Sequence, residues 1–485
     1  MTQLQEKTAT FWQATTPPLV FDRSRPALMV GALIASDTLA LTASVAISLF
    51  WKMLIAGPID VEGYLRLLPF LGVFLGAFAA QGLYSDVSVS TPEELRRATI
   101  SSVLLFLILG SATVGLRGGT HLITGTLLLS IVHAVALVPL FRAFTRAILS
   151  SKPWWGYTAV VFGGGAAGRS MVASLIKDPG FGLKPRAIVD EDASYGHCLG
   201  VPVVSSEEVA AALRSSGRKA YAVMVMTDVS HPRLHKLLES NGDVFSHVLV
   251  LPELLYSYSQ FATSKSVGGR WGLELRRREL DAGHLHLKRM LDLTLVLVAA
   301  PLVAPLSLLL ALVVKLTSKG PAFFGQRRIG RQGRDFKAWK FRTMVTNGDE
   351  VLAKHLAADP VAREEWERTR KLRNDPRVTR IGRLLRRTSL DELPQLWNVL
   401  RGEMSLVGPR PIVAAEVPLY GNAFGLYKLM PAGLTGLWQV SGRNDTTYEE
   451  RVTLDSFYAR NWSVWLDLYI LSRTIGAVLG RNGAY

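Results

Sequence analysis

The sequence predicts a membrane protein in three parts: an N-terminal four-helix transmembrane bundle, a central α/β domain, and a C-terminal α+β domain with a re-entrant membrane helix. Three observations predict this architecture. Four apolar runs fill the first 150 residues, a glycine-rich turn between two apolar segments follows, and a fifth apolar run with two prolines precedes an arginine-rich segment. We expect the domain boundaries at residues 1–150, 151–268 and 284–485.

The composition agrees with a membrane location. Hydrophobic residues make up 49% of the chain, the mean hydropathy is +0.22 and the formal charge is +16. Such a chain is typical of a membrane protein with cationic cytoplasmic surfaces, or of a protein that handles anionic substrates. The sequence contains no nucleic-acid-binding motif, so we expect no nucleic acid partner. Cys198 is the single cysteine, which excludes a disulfide framework and a cysteine-rich zinc site.

The first domain contains four apolar runs, each near the ~20 residues that cross a bilayer as a helix. They are Ala27–Trp51, Leu65–Leu83, Ala98–Leu116 and Leu122–Phe141. Arginines precede the first and third runs, and Arg142 follows the fourth. The positive-inside rule then places both ends of the bundle in the cytoplasm. Asp37 lies inside the first run, where either a hydrogen bond within the bundle or a functional role would explain it.

The second domain begins with a strand, a glycine-rich turn and a helix. Gly163, Gly165 and Gly168 match the G-x-G-x-x-G pattern, and Asp190 closes the next strand. This is the Rossmann fingerprint in its expected context, so we predict a Rossmann-like domain. The turn either binds a nucleotide or is a scaffold without a ligand.

A nucleotide-sugar oxidoreductase or dehydratase is the rival function for such a domain. Those enzymes use a catalytic Tyr-x-x-x-Lys pattern, and residues 156–265 contain none.

The fifth apolar run, Met290–Val314, is long enough to cross a bilayer. Pro301 and Pro305 lie near its centre, where each removes a helical N–H group and kinks the helix. Both flanks are basic, with Lys288 before the run and Lys319 after it, so both ends favour the cytoplasm. This pattern favours a helix that enters the membrane, bends and returns. An ordinary span with a proline kink is the alternative.

Two acidic residues stand among arginines in "LLRRTSLDELPQLWNVLRGEMSLVGPRPIV". Ser389-x-x-Glu392 has the spacing of a capping box and Pro394 suits a first helical turn, which indicates a helix start. The alternative is a site for phosphate chemistry. Arginine forks bind phosphate oxygens, a carboxylate such as that of Asp391 can attack phosphorus, and a second carboxylate can hold a divalent cation. This stretch alone leaves both interpretations open.

The C-terminal part resembles a known family. Its blocks include "KRMLDL", "GPAFFGQRRIGRQGRDFKAWKFRTM", "RNDPRVTRIGRLLRRTSLDELPQLWNVLRGEMSLVGPRP" and "GLTGLWQVSGRND". Together, over residues 285–485, they resemble the bacterial sugar transferase family of monotopic polyprenyl-phosphate phosphoglycosyl transferases. The bundle and Rossmann-like domain ahead of them resemble its long subgroup, and the last blocks are most similar to members that transfer galactose-1-phosphate.

This resemblance implies a reaction. A hexose-1-phosphate, expected to be galactose-1-phosphate with glucose as the alternative, would pass from a UDP-hexose to undecaprenyl phosphate in the bilayer, releasing UMP. That is the first membrane step of O-antigen, capsule or exopolysaccharide synthesis. The resemblance implies Asp391 as nucleophile, and Glu392 either as a ligand of Mg²⁺ or as a group that helps the proton and charge balance. It implies a multi-pass protein of the bacterial inner membrane with its catalytic domain on the cytoplasmic face, and leaves open whether it is a monomer or a homodimer.

Further residues of the catalytic domain are candidates for substrate binding. Arg386 and Arg410 match arginines expected on a phosphate or nucleotide. Lys340 and Arg342 have strand spacing and could point to one face. Arg443 is a candidate for phosphate or uridine. A structural salt bridge is the alternative for these side chains.

The re-entrant helix of the family often breaks at Ser-Pro. Here we expect it over about residues 288–316, with its break at Ala304 and Pro305. The kink comes from proline and should survive, although no serine hydroxyl is present to satisfy a freed carbonyl group.

Overall fold

The structure is a computed structural model. It describes residues 21, 24–57, 67–84, 90–117, 121–190, 196–225, 244–251, 262–267, 270–275, 282–369, 372, 374–441 and 447–479. The chain folds into two compact units, Met1–Tyr256 and Ser257–Tyr485.

The first unit begins with helices. They are α1 (Pro26–Ala56), α2 (Phe70–Ala80), α3 (Thr91–Arg117) and α4 (His121–Leu149). Among the described residues, four helices are long and apolar enough to cross a membrane, namely α1, α3, α4 and one helix of the second unit. The prediction of a membrane protein is confirmed to that extent.

The second predicted span is shorter than expected. The run Leu65–Leu83 contains a described helix of 11 residues, α2. Such a helix is about 17 Å long, whereas the hydrocarbon core is about 30 Å thick. Pro69 stands at its start, where a residue without an N–H group is tolerated. A turn follows its end, with Gly82 in the left-handed region at φ 74°.

Asp37 has a structural explanation, as the hydrogen-bonding alternative predicted. Its carboxylate accepts hydrogen bonds from Tyr84 Oη at 2.7 Å and from Arg142 Nε at 2.7 Å. Arg142 also donates to Glu94 on α3 at 2.6 Å. The sequence placed Arg142 beyond the fourth span, but it lies within α4 and is buried. Its charge is tolerated there because two carboxylates pair with it.

A six-stranded sheet follows these helices in the first unit. Its strands are β1 (Tyr157–Phe162), β2 (Leu183–Val189), β3 (Gly196–Cys198), β4 (Val201–Val204), β5 (Ala220–Val225) and β6 (Phe245–Leu251). They stand in the order β3-β4-β2-β1-β5-β6, and all neighbours are parallel except β3 and β4. Without β3, this is the strand order of a doubly wound sheet. Helix α5 (Ala166–Lys177) follows β1 and α6 (Ser206–Ser216) follows β4. The predicted α/β alternation is therefore confirmed.

The second unit combines small sheets with helices. The strands are β7 (Ala262–Val267), β8 (Arg270–Leu275), β9 (Phe323–Ile329), β10 (Asp335–Phe341), β11 (Met404–Val407) and β12 (Ala432–Thr435). The helices are α7 (Ala282–Thr317), α8 (Gly348–Ala358), α9 (Pro360–Thr369), α10 (Arg380–Arg387), α11 (Gln395–Arg401), α12 (Val417–Tyr420), α13 (Phe424–Tyr427), α14 (Leu437–Ser441), α15 (Tyr448–Asn461) and α16 (Val464–Leu479). The pairs β7–β8 and β9–β10 are antiparallel, and β11–β12 is parallel.

Helix α7 is the apolar helix of the second unit. It has 36 residues, which would measure about 54 Å if straight. Pro301 and Pro305 lie inside it, so the carbonyl groups four residues earlier lose their helical donors. Helical structure continues through Ala304, and no change of secondary structure marks the predicted break. The re-entrant course stays a prediction.

The first turns of α7 are tied to the core of their unit. Lys288 Nζ lies 2.7 Å from Asp467 Oδ2, and both residues are buried. Asp467 also accepts hydrogen bonds from Tyr458 and Trp462. One helical turn later, Asp292 accepts from Ser405 Oγ at 3.0 Å. The buried charge of Lys288 therefore anchors α7 to α16 through Asp467, and it does not lie in solvent beside the apolar run.

Candidate active site

The acid pair follows α10. Thr379 caps this helix, because its hydroxyl accepts a hydrogen bond from the Gly382 N–H at 2.9 Å. Gly382 packs against the backbone that follows β10, where a Cβ atom would lie 2.1 Å from the Thr343 carbonyl oxygen. Only glycine permits this approach. The packing brings the end of α10 and the acid pair against the end of β10.

The capping-box interpretation of Ser389 and Glu392 is wrong. Ser389 has φ 56° and ψ 15°, in the left-handed region, and its side chain makes no capping hydrogen bond. An N-cap residue needs an extended backbone instead. The residues Leu390–Glu392 form a 3₁₀ turn, and the next α-helix begins only at Gln395. A left-handed serine costs on the order of 1 kcal/mol, and such strain clusters at functional sites.

Lys340 lies between the two carboxylates. Its Nζ is 2.5 Å from Glu392 Oε1 and 3.8 Å from Asp391 Oδ2. Asp391 is buried, whereas Glu392 is partly exposed. Burial raises the pKa of Asp391, the charge of Lys340 opposes that rise, and the charge of Glu392 adds to it. The lysine therefore favours the ionised form of a buried carboxylate.

The two cations of the "KFRTM" segment have different partners. Lys340 contacts the acid pair, whereas Arg342 Nη2 donates to the carbonyl oxygen of Ser318 at 2.8 Å and to its hydroxyl at 2.6 Å. Arg342 thus satisfies a backbone group at the C-terminal end of α7. Arg386 Nε donates to Thr343 Oγ1 at 2.9 Å, and its charge lowers the pKa of Asp391.

Two further arginines contact groups other than the acid pair. Arg410 is exposed, and its guanidinium lies 5.5 Å from the ring centre of Trp438. Arg328 on β9 was not among the residues predicted for the site, although it lies in the block "GQRRIGRQGRD" that resembles the family. Arg328 Nη1 donates to the Pro411 carbonyl oxygen at 3.4 Å. Arg443 lies outside the described residues.

Comparison with known proteins identifies the family. Residues 283–481 match the family named Bacterial sugar transferase. The chain is 41% identical over 361 residues to a UDP-galactose-lipid carrier transferase of Erwinia amylovora, covering 73% of this chain and 74% of that protein. The chain belongs to the bacterial sugar transferase family.

Two further relatives agree with this assignment. An undecaprenyl-phosphate galactose phosphotransferase of Salmonella typhimurium is 39% identical over 358 residues, covering 73% of this chain and 74% of that protein. The exopolysaccharide production protein ExoY of Rhizobium meliloti is 52% identical over 198 residues, which are 41% of this sugar transferase and 88% of ExoY.

The glycine-rich turn of the sugar transferase is hydrogen-bonded to Asp190. The Gly164 N–H donates to Asp190 Oδ2 at 3.1 Å, and a Cβ atom on Gly164 would lie 2.2 Å from that oxygen. Gly163 has φ 104°, Gly165 precedes α5, and Gly168 is buried within it. Asp190 has the position of the acid that binds a ribose in dinucleotide sites, and here it is hydrogen-bonded to the turn. This contact favours the scaffold interpretation, and nucleotide binding there stays a prediction.

The acid pair fits Mg²⁺ in its donor chemistry. Across the described residues, no group of three or more His, Cys, Asp or Glu side chains converges as a metal site. Mg²⁺ is usually bound through one or two carboxylates together with substrate phosphates and water. Asp391 and Glu392 supply two carboxylates of this kind, and the more exposed Glu392 would hold the ion.

Proposed function

We propose that this enzyme transfers galactose-1-phosphate from UDP-galactose to undecaprenyl phosphate and releases UMP. Membership of the family and the names of two relatives support the reaction class and the sugar. The observation that carries the proposal is the buried Asp391 with Lys340 between it and Glu392. UDP-glucose is the alternative donor, and ExoY supports a role in exopolysaccharide synthesis.

The first step makes a covalent enzyme. A carboxylate oxygen of Asp391 attacks the phosphorus that bears the sugar, and the bond from this phosphorus to the oxygen of the UMP phosphate breaks. UMP leaves with the electron pair. In the second step, a phosphate oxygen of undecaprenyl phosphate attacks the same phosphorus. The acyl-phosphate bond breaks, and the carboxylate of Asp391 is restored.

The cations of the site allow an anion to attack an anion. Lys340 favours the ionised form of Asp391 and adds positive charge beside the reacting phosphorus. Arg386 supplies a second cation within electrostatic range of Asp391. Mg²⁺ held by Glu392 would neutralise charge on the diphosphate.

Exposed apolar side chains support a membrane-surface position for the acid pair. Leu384 on α10 is 56% exposed and Trp397 on α11 is 57% exposed, and the two helices flank the pair in the chain. Arg383 and Arg387 on α10 are also exposed. Apolar and cationic side chains on one short element are typical of contact with an anionic lipid surface. The head group of a polyprenyl phosphate lies at that level.

A cysteine-labelling experiment tests the re-entrant course of α7. Single cysteines replace the exposed Leu287 and Lys319 in a Cys198→Ala background, while Lys288 is avoided because it is buried. We expect a membrane-impermeant thiol reagent to label neither position in intact cells and both after permeabilisation. A cysteine at Gly119, which the predicted topology places in the periplasm, is the positive control. Labelling at 319 in intact cells would mean that α7 crosses the membrane.

The function itself is tested with membranes that contain the protein. Labelled UDP-galactose or UDP-glucose is supplied with undecaprenyl phosphate, and the lipid is extracted. We expect a labelled lipid and one equivalent of UMP, with UDP-galactose as the better donor. Turnover of NAD without a lipid product would support the oxidoreductase instead.

A further inference from the structure

A second group of cations and aromatic rings lies in the C-terminal unit. It consists of Arg410, Trp438, Tyr448 and Arg451, and we call it the Arg451 cluster. The Arg451 guanidinium carbon lies 5.2 Å from the ring centre of Trp438 and 5.0 Å from that of Tyr448. Arg410 lies 5.5 Å from the Trp438 ring. Arg451 is buried and Arg410 is exposed, so the cluster runs from the interior to the surface.

The Arg451 cluster contains buried donors without acceptors. Arg451 is 7% exposed and Trp438 is 8% exposed. Within the part of the chain that the structure describes, Arg451 Nε and Nη2, Trp438 Nε1 and Tyr448 Oη have no hydrogen-bond partner. Burial raises the pKa of Tyr448 to about 12, so its hydroxyl keeps its proton at neutral pH. Buried donors of this kind need acceptors, and the described residues supply none for these four atoms.

Neighbouring residues hold the cluster in place but do not satisfy it. Arg451 Nη1 lies 3.6 Å from Glu416 Oε1, which engages one corner of the guanidinium. Asp455 lies about one turn after Arg451 on α15, and it accepts a hydrogen bond from Tyr420 Oη at 2.7 Å. Burial raises the pKa of Asp455 to about 7, so it carries only part of a negative charge at neutral pH. The cluster therefore keeps an excess of positive charge.

The Arg451 cluster lies in the same electrostatic neighbourhood as the acid pair. Arg328 connects them. Burial lowers the pKa of Arg328, the charges of Arg410 and Arg451 lower it further, and the charges of Glu416 and Glu392 raise it. Glu416 lies between Arg328 and Arg451, because its Oε2 is 4.0 Å from Arg328 Nη1 and its Oε1 is 3.6 Å from Arg451 Nη1.

Arg328 and Lys340 stand on the same face of the β9–β10 pair, because Phe336 pairs with Arg328 and Lys340 pairs with Phe324. A ligand that fills the cluster would therefore extend along that face toward Lys340 and Glu392.

We propose that the Arg451 cluster binds the uridine monophosphate half of the donor substrate, an inference that rests on the proposed function. UMP is an anion, and its uracil ring carries two carbonyl acceptors. Its ribose oxygens are acceptors as well. A flat base stacks on a guanidinium plane such as that of the exposed Arg410. A simple phosphate would suit Arg451 but would leave the neutral donors of Trp438 and Tyr448 less well matched. The cluster holds the leaving group while Asp391 attacks the neighbouring phosphorus.

The test measures UMP binding by calorimetry on the purified full-length protein without lipid. Tyr448→Phe and Trp438→Phe each remove one unpartnered donor and keep a ring. Removal of an unsatisfied donor does not destabilise the folded protein, so these variants stay informative if Arg451→Gln fails to fold. Arg363→Gln, at an exposed arginine on α9, is the matched control.

We expect Tyr448→Phe and Trp438→Phe to weaken UMP binding about tenfold each, the scale of one hydrogen bond to a ligand. Arg451→Gln should weaken it about 100-fold, because a charge-assisted pair is lost. Arg363→Gln should bind like wild type. Inorganic pyrophosphate, which has no base or ribose, should bind the two phenylalanine variants as it binds wild type.

Two results would overturn the inference. One is wild-type UMP affinity in both phenylalanine variants. The other is an equal loss of UMP and pyrophosphate affinity in them, which would make the cluster a phosphate site. Lipid product formation by the wild-type protein is measured in parallel. If it forms product while the variants bind UMP normally, this inference fails and the proposed function stands. If it forms no product from any UDP-hexose, the proposed function fails.

Discussion

Asp391→Asn should reduce sugar-phosphate transfer by more than ~10³-fold, the scale of removing a covalent nucleophile. An amide cannot form the acyl-phosphate bond on which both steps depend. The folded protein should not suffer, because burial raises the pKa of Asp391 and its ionised form is therefore the unfavourable one. A neutral amide of the same shape avoids that desolvation cost. Lipid product from membranes and thermal unfolding of the purified protein measure the two effects.

A matched aspartate gives the control. Asp335 is exposed at the start of β10, and Asp335→Asn should transfer at the wild-type rate. If Asp391→Asn kept a rate within tenfold of wild type, Asp391 would not be the nucleophile and the covalent mechanism would be wrong.

Lys340→Met should reduce transfer at neutral pH by ~10²- to 10³-fold, the scale of removing one preorganised charge at a reacting centre. Transfer requires ionised Asp391, so the rate falls as the pH drops through the pKa of that carboxyl. Burial raises this pKa and Lys340 lowers it. Loss of the lysine should therefore raise the pKa further and move the acidic limb of the pH–rate profile to higher pH. Raising the pH should restore part of the activity.

Lys337 provides the comparison for this variant. It is an exposed lysine on the same strand, three residues earlier and on the opposite face. Lys337→Met should leave both the rate and the pH profile unchanged. A Lys340→Met enzyme with a lower rate but an unshifted acidic limb would show that the lysine acts on the substrate alone and does not control the ionisation of Asp391.

The sequence predicted the acid pair through its resemblance to a family, but local patterns misjudged its setting. Ser389 and Glu392 have the spacing of a capping box, yet Ser389 is left-handed. Ser389 follows α10, and α10 packs through Gly382 against the Thr343 backbone. A contact across 39 residues of chain cannot be read from a four-residue pattern. The acid pair and its cation were predictable, whereas the backbone that positions them was not.

Strand spacing did not distinguish the two cations of the "KFRTM" segment. Lys340 and Arg342 both suit one face of a strand, but only Lys340 reaches the acid pair, while Arg342 binds Ser318 at the end of α7. Hydropathy predicted long apolar helices, and α1, α3, α4 and α7 confirm that signal. It did not predict that Arg142 lies inside the bundle, because its compensating partners, Asp37 and Glu94, are remote in sequence. Pairing of buried charges is a tertiary property that a hydropathy window does not contain.

Trapping of the phosphosugar on the enzyme is a direct test of the covalent mechanism through Asp391. Purified protein is incubated with UDP-galactose labelled in the phosphate next to the sugar, without undecaprenyl phosphate, and then denatured and digested. We expect a labelled peptide that contains Asp391, loss of the label when undecaprenyl phosphate is added before denaturation, and no label in Asp391→Asn. An enzyme that forms labelled lipid at the wild-type rate but never carries the label itself would contradict the covalent mechanism, because the phosphosugar would then pass directly from one substrate to the other.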